Sequence, residues 1–492
     1  GDHRDLHSFP TRRLFRSHSS SGVCSPSRYA LLTGRYHWRT RLQRGIVNVF
    51  GDPLIAPDRL TIAGMLKQQG YATACIGKWH LGRDWGVPEG QAKLFSGKGG
   101  VAPEVTDAHR EAWNAVFSKP FAGGPTSRGF DEYFGTDVPN WPPYCFIENE
   151  RTVGIPSEFL PKEQFQNHLA SLQGPALPGW DLAKVLPAIT DRACGFVERE
   201  AKAGRPFFLY MPLTAPHTPI AVNEPWKGRS GLIPYGDFVM ETDAAIGRVL
   251  DALAKAGAAD RTLLVLTSDN GCAPYIGAKE MEAKGHFPSG PLRGYKGDAW
   301  EGGHRVPFVV RWPGVVKPGG VCGQLVHHVD LIATFADALG VKLPETAAED
   351  SFSLLPLLKG GDAPVRAGAI SASASGVFAM RKGAWKLIPA PGGGGSWSEP
   401  SSNAAPGQLY NLAEDLGEKE NLYAANPEKA AELAALLQKW VDDGRSTPGA
   451  RQTNDVPVVI RKPAPEAAKK APVAKGAAGP AAPRAKPARR QP

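Results

Sequence analysis

Three apolar, β-prone runs, each delivering a polar cluster at its end, set the tightest limit on how this chain folds. Tyr71-Ala72-Thr73-Ala74-Cys75-Ile76 leads into Gly77-Lys78-Trp79-His80-Leu81-Gly82. Pro206-Phe207-Phe208-Leu209-Tyr210-Met211 leads into Ala215-Pro216-His217-Thr218-Pro219. Leu263-Leu264-Val265-Leu266-Thr267 leads into Ser268-Asp269-Asn270-Gly271. Short apolar runs closed by turn residues read as buried strands. Helical stretches separate them, over Leu60 to Gln69, Trp180 to Ala203 and Phe238 to Ala256. This alternation predicts an α/β fold with a mostly parallel sheet flanked by helices. Ligands of open α/β sheets collect at the carboxyl ends of the strands, which is where these polar clusters sit.

Length and charge add less. At 492 residues the chain can bury a large core and more than one domain. The net charge of +9 does not signal a nucleic-acid partner. Residues 461–492 hold nine Lys/Arg and one Glu, so +8 of it belongs to the tail. An Ala/Pro/Lys/Arg-rich tail cannot build a core, and residues 451–492 are expected to be disordered. No apolar run is long enough to span a membrane. Cys75, Cys145, Cys194, Cys272 and Cys322 show no metal-ligand spacing, and no disulfide follows from them.

The chemistry concentrates in Cys24-Ser25-Pro26-Ser27-Arg28, followed by Leu32-Thr33-Gly34-Arg35. Pro26 suits a first helical turn, and Arg28 to Leu32 reads as helix, so Cys24 belongs near a helix N-terminus, a place that favours anions. Taken singly, each residue has a plainer reading. Cys24 would be a buried structural cysteine. Lys78 and His80 would be an exposed lysine and a satisfied histidine, His217 a turn residue, and Asp269-Asn270-Gly271 a turn. The twelve-residue pattern around Cys24, and the order of the other segments, favour a shared site.

In that order the segments, with Leu292 to Pro307 as a second signature, resemble the type I sulfatase family over roughly residues 17 to 425. The resemblance implies an alkaline-phosphatase-like α/β catalytic domain over 17–355. A smaller C-terminal antiparallel sheet with a helix would follow over 356–450, with a hairpin turning at Arg381 to Ala384. It implies that a formylglycine-generating enzyme oxidises Cys24 to formylglycine. One hydroxyl of the hydrated aldehyde attacks sulfur and the other expels sulfate. Arg28, Lys78 and Lys296 would bind the sulfate as an electrostatic clamp. His80 would assist the diol hydroxyl, and His217 would protonate the leaving alcohol or contact the sulfate. Asp269 and Asn270, with the modified Cys24, would hold Ca²⁺ or Mg²⁺. The substrate would be a sulfated small molecule or saccharide, with Trp141, Pro142, Pro143, Tyr144 and His37 as outer-pocket candidates. The native protein would be periplasmic or secreted. Glu301, His304 and Arg305 read as structural or rim residues.

Two rival readings stand beside this one: a phosphodiesterase or phosphonate monoester hydrolase of the same superfamily, and a non-catalytic chain that binds sulfated glycans. One departure bears on all three. Family members open with a strand ending in an acidic pair that completes the metal site. Residues 1–16, GDHRDLHSFPTRRLFR, show neither an apolar strand nor that pair, nor a signal peptide. The expectation is that the native first strand is absent and residues 1–16 are foreign or mis-assembled. Asp2 and Asp5 are then the in-chain candidates for the missing ligands, and metal binding and turnover are weak.

Overall fold

A computed structural model describes residues 13–98, 104–165, 170–396 and 405–461. In chain order, β1 (Arg13–His18) feeds α1 (Cys24–Thr33), and α2 (Ile62–Gln68) precedes β2 (Ala72–Ile76) and β3 (Glu132–Gly135). Helix α3 (Val185–Lys202) leads to β4 (Phe207–Tyr210), and α4 (Pro234–Lys255) leads to β5 (Leu264–Thr267). Strands β6 (Arg305–Arg311) and β7 (Val321–His327) and helix α5 (Leu331–Leu339) follow. Strands β8 (Ala369–Ala372), β9 (Phe378–Lys382), β10 (Trp385–Ile388) and β11 (Gln408–Asn411) and helix α6 (Pro427–Asp442) complete the regular elements among the described residues. No helix among the described residues is long and apolar enough to cross a membrane.

The large sheet comes in two parts. One has the order β5-β6-β1-β7; the other runs β4-β2-β3 and continues into short strands at 147–148 and 151–152. Strands β4, β2 and β3 are parallel, as are β1 and β7, whereas β6 runs antiparallel to both its neighbours. The sheet is therefore mixed. The third sheet, β8-β9-β10-β11, is antiparallel throughout, and its β9–β10 hairpin turns at Gly383-Ala384 as expected. Helix α6 packs on it through Leu433, Leu437 and Trp440.

Two boundaries differ from the sequence reading. The absence of a strand before residue 17 is corrected: β1 starts at Arg13 and lies inside its sheet. The physical reason is backbone pairing on both sides, to β6 and β7. Such pairing needs no apolar alternation; Phe15 adds a ring contact, edge-on to Phe308 at 5.8 Å. The tail does not begin at 451. The Asp455 carboxylate pairs with Arg35 at 2.9 Å, its amide donates to the Arg39 carbonyl, and Val458 and Ile460 pack on the core beneath α6. Asp2, Asp5 and the basic segment 462–492 lie outside the described residues.

Strands β4 and β5 are both sheet edges, yet they share one layer. Phe207, Leu209 and Leu264 pack on Val197, Ala252 and Leu253. On the opposite face Phe208 and Val265 pack on the cluster of Met65, Phe308 and Ile332. The same two covers thus roof both strands, but the strands do not pair with each other, and all eight of their residues stay only partly buried. Edge amides lack the second ladder that protects an interior strand. Hydrogen exchange followed by mass spectrometry should therefore show β4 and β5 exchanging faster than β2 and β6. Equal protection of all four would contradict the edge assignment.

A buried ionic cluster joins the small sheet to the large one. Glu301 accepts from His18 Nε2 at 3.0 Å, Lys386 Nζ at 3.0 Å and Arg381 at 3.2 Å. Lys386 also pairs with Glu418 at 2.8 Å. The cluster ties β1, β9, β10 and the loop carrying Glu418 to one carboxylate. Removing one partner of such a group leaves a buried charge uncompensated, at a cost of about 3–5 kcal/mol. Burial lowers His18 to about 4 despite the attraction of Glu301, and lowers His328 to about 4. Burial and cationic neighbours also hold His304 and His327 well below the ordinary range. Burial pushes Glu418 the other way, up to about 7. Between pH 6.5 and about 4 the unfolded chain takes up protons that these folded histidines refuse, so stability falls as pH drops. Glu418 offsets one proton of this. The net dependence should be about 1.4 kcal/mol per pH unit for each uncompensated proton. Denaturant midpoints measured from pH 7 to 4.5 should fall steadily; a flat profile would refute the neutral, buried state of these histidines.

Candidate active site

Helix α1 opens at Cys24, which is almost fully buried. Pro26 sits in the first turn, where its missing N–H leaves nothing unpaired. One turn on, Arg28 lies on the same helix face. The helix ends at Gly34, in the left-handed region at φ 67°, and a Cβ there would meet the Ile332 side chain at 2.4 Å. Glycine is thus required twice over in the Leu32-Thr33-Gly34-Arg35 segment. Arg35 itself faces away from Cys24, paired with Glu349 at 3.2 Å and Asp455.

Three loops meet Cys24. After β2, Gly77 at φ 139° brings the chain so close to β4's loop that a Cβ would lie 2.1 Å from the Pro212 carbonyl. Lys78 donates its amide to that carbonyl and its Nζ to Cys24 Sγ at 3.4 Å. Lys296 reaches the same sulfur at 3.5 Å from a turn pinned by its amide bond to the Cys272 carbonyl. Arg28 donates Nε and Nη2 to Asp269 Oδ2 at 3.0 and 2.7 Å, and Nη1 to the Lys78 carbonyl at 3.0 Å. It therefore bridges the ends of β5 and β2.

Both histidines are held by backbone carbonyls. His80 Nε2 lies 3.1 Å from the Val47 carbonyl, and His217 Nδ1 lies 2.8 Å from the Thr218 carbonyl. A carbonyl only accepts, so each of these nitrogens carries the ring proton. The other nitrogen of each neutral ring, Nδ1 of His80 and Nε2 of His217, is left with a lone pair, and both rings help to lower the Cys24 thiol. His80 is also held at φ 54°, a left-handed conformation that costs a non-glycine residue about 1–3 kcal/mol and persists only under strong constraint.

Burial pushes the Cys24 thiol up, but the ammonium groups of Lys296 and Lys78 and the two histidines outweigh it and hold it well below the usual thiol range. Burial brings Lys78 down to about 8, helped by repulsion from Arg28 and Lys296. Burial also acts against Lys296, yet the Cys24 charge leaves it raised. His217 is lowered to about 4 by burial and by the two lysines, and His80 is lowered by burial and Lys78. Arg28, Lys78 and Lys296 face one carboxylate, Asp269. The site is built to receive an anion.

Two places come into question for a metal. His18, Glu301 and His304 can bring three ligand atoms together. There Lys386 and Arg381 already neutralise Glu301, so a dication would meet two fixed positive charges. The end of β5 fits better. Asp269 and Asn270 present adjacent hard oxygens, and Asn270 Oδ1 is buried without a hydrogen-bond partner. Its amide nitrogen is already spent on the Gly271 carbonyl at 3.0 Å, leaving the oxygen as a free donor atom. The donor chemistry suits Ca²⁺ or Mg²⁺, although such ions take six or more oxygens.

The structure thus brings Cys24, Arg28, Lys78, His80, His217, Lys296, Asp269 and Asn270 to one place. Of the outer-pocket candidates only Trp141 remains partly accessible, its ring edge-on to His80 at 5.4 Å. His37, Pro142, Pro143 and Tyr144 are buried, and the Tyr144 hydroxyl is used on the Asn140 carbonyl. Sequence reasoning missed the carbonyls of Val47 and Thr218. A backbone acceptor has no side-chain signature, so only the fold exposes it.

The sequence profile of the family described as Sulfatase matches residues 13–341. An N-acetylgalactosamine-6-O-sulfatase of Bacteroides thetaiotaomicron is 31% identical over 461 residues, covering 86% of this chain and 84% of that protein. Arylsulfatase A of Bos taurus is 32% identical over 435 residues, covering 85% of this chain and 77% of its own. A solved structure from work on the metabolism of multiple glycosaminoglycans by Bacteroides thetaiotaomicron superposes with a TM-score of 0.74 at 29% identity, covering 88% of this chain and 92% of that one. With its site and its fold in agreement, the chain belongs to the sulfatase family of sulfuric ester hydrolases.

Proposed function

We propose that this sulfatase hydrolyses a sulfate monoester of a saccharide, with residue 24 as nucleophile after conversion to formylglycine. The observation that carries the reading is the enclosure of Cys24 Sγ by Lys78 at 3.4 Å and Lys296 at 3.5 Å, with Arg28 one turn away. In this unmodified chain the sulfur stands in for the oxygens of the hydrated aldehyde. The hydrate supplies an oxygen nucleophile and a second hydroxyl through which sulfate can leave. Three cations against Asp269 leave the pocket net positive, which suits the single negative charge of a sulfate monoester and the charge that builds on it in transfer.

The geometry supports a division of labour. Lys78 and Lys296 clamp the sulfuryl oxygens. His80, whose Nδ1 is bare, takes a proton from a hydroxyl on residue 24. His217 serves the leaving alcohol, which is a poor leaving group without a proton. Its low proton affinity arises from burial and the two lysines, and an anionic sulfate between them would raise it. Asp269 and Asn270 would hold the divalent cation, which supplies further positive charge for a sulfate oxygen and for residue 24. Formylglycine-generating enzyme is the maturation partner, and the periplasm or exterior the assigned compartment. The saccharide assignment is supported by the N-acetylgalactosamine-6-O-sulfatase relative, 31% identical to this chain.

Co-expression with a formylglycine-generating enzyme should place an aldehyde at residue 24, visible by peptide mass. The product should release sulfate from members of a panel of sulfated saccharides. Cys24→Ala should abolish turnover, and Cys24→Ser should fail without a serine-type maturation system. Full activity with an intact Cys24 thiol would sink the assignment.

Asp269→Ala should lower bound calcium and turnover together, read by elemental analysis and sulfate release on the same preparation. Unchanged metal stoichiometry in that variant would move the cation elsewhere.

A further inference from the structure

Ser25 has no role in the chemistry above, yet it is fully buried and bonded to the loop that holds His80. Its Oγ accepts from the Val47 amide at 3.1 Å. The carbonyl of that same residue binds His80 Nε2 at 3.1 Å. Val47 is the one buried residue in an irregular segment, 41–50, whose other members are half-buried or exposed. No strand ladder includes that segment: the Gly45 amide bonds the Ala374 carbonyl at 2.7 Å, and at Val47 the backbone amide is held by the hydroxyl next to the nucleophile. His80 has a second constraint in its left-handed backbone, φ 54°, and a third in the edge of Trp141. Its Nδ1 is buried and has no hydrogen-bond partner.

We propose that Ser25 is a positioning residue that fixes the tautomer of His80 through Val47. The relay runs from Ser25 Oγ to the Val47 amide, across one peptide residue to its carbonyl, and on to the Nε2–H of His80. It leaves Nδ1 as a lone pair, on a ring in the site of residue 24, which lies 56 positions away in the chain but adjacent to Ser25 itself. Without the hydroxyl, the Val47 carbonyl loses its fixed position. The ring can then carry its proton on Nδ1 and present a donor where an acceptor is needed. The histidine's catalytic part rests on the sulfatase reading; its tautomer does not, which lets the two be tested apart.

The test uses the full chain labelled with ¹⁵N-histidine, in its thiol form, and long-range ¹H–¹⁵N correlation. His80→Gln identifies the His80 signals by their loss. The wild type should show His80 with Nε2 protonated and Nδ1 bare. Ser25→Ala should give a mixed or inverted pattern, and Ser25→Thr, which keeps the hydroxyl, should restore it. Because Ser25 adjoins the residue that maturation would oxidise, kinetics are normalised to aldehyde content measured by peptide mass. Per aldehyde, Ser25→Ala should lose about tenfold or more in kcat, with KM within about twofold because no substrate contact is removed. A serine that merely stabilised the fold would lower Tm and leave the tautomer unchanged. The proposal is overturned if wild-type His80 carries its proton on Nδ1. It is equally overturned if Ser25→Ala keeps the wild-type pattern, or if Ser25→Thr, folded, fails to restore it.

Discussion

The ion pair between Arg28 and Asp269 is the interaction on which the site depends. Arg28 projects from helix α1, Asp269 ends β5, and the Lys78 carbonyl ends the turn after β2. These elements belong to different parts of the large sheet, and β4 and β5, the strands nearest the join, do not hydrogen-bond to each other. A buried guanidinium with two donors on one carboxylate and a third on a carbonyl holds them in register. Burial disfavours its charge, but Asp269 more than compensates and raises its proton affinity. Once Arg28 is fixed, Cys24, one turn earlier, is aimed at the same point.

The charge around that point explains the behaviour of the other groups. Lys78 and Lys296 approach one sulfur atom, and burial prevents water from screening them. Each group therefore shifts its neighbours: the thiol goes down, Lys78 goes down, and His217 and His80 stay neutral. Neutral histidines are useful only if the correct nitrogen is bare. Two backbone carbonyls, Val47 and Thr218, make that choice, through Nε2 in one ring and Nδ1 in the other.

Much of this was legible in the chain. The strands over 72–76, 207–210 and 264–267 follow from apolar runs closed by turns. The site residues were legible because a covalent pattern carries them: Cys24 and Arg28 share one helix face, and Asp269 and Asn270 are neighbours. Arg13 to His18 was not legible as a strand, because its pairing is made by backbone atoms of β6 and β7 that lie about 300 residues on. The attachment of residues 451–461 was hidden for a similar reason. Their composition is that of a linker, and only the position of Arg35 and Arg39 gives Asp455 partners.

The sequence by itself determined the chemistry available and the order in which it would be delivered. Residue type and spacing are local properties, and through the resemblance to the sulfatase signatures they pointed to Cys24, Arg28, Lys78, His80, His217, Asp269, Asn270 and Lys296. Only the tertiary structure decided which of them touch, which ring nitrogen of each histidine is bare, and which partners Glu301 takes in its buried ionic cluster. Those outcomes depend on distances between segments far apart in the chain and on backbone carbonyls, which every residue has and no side-chain pattern marks.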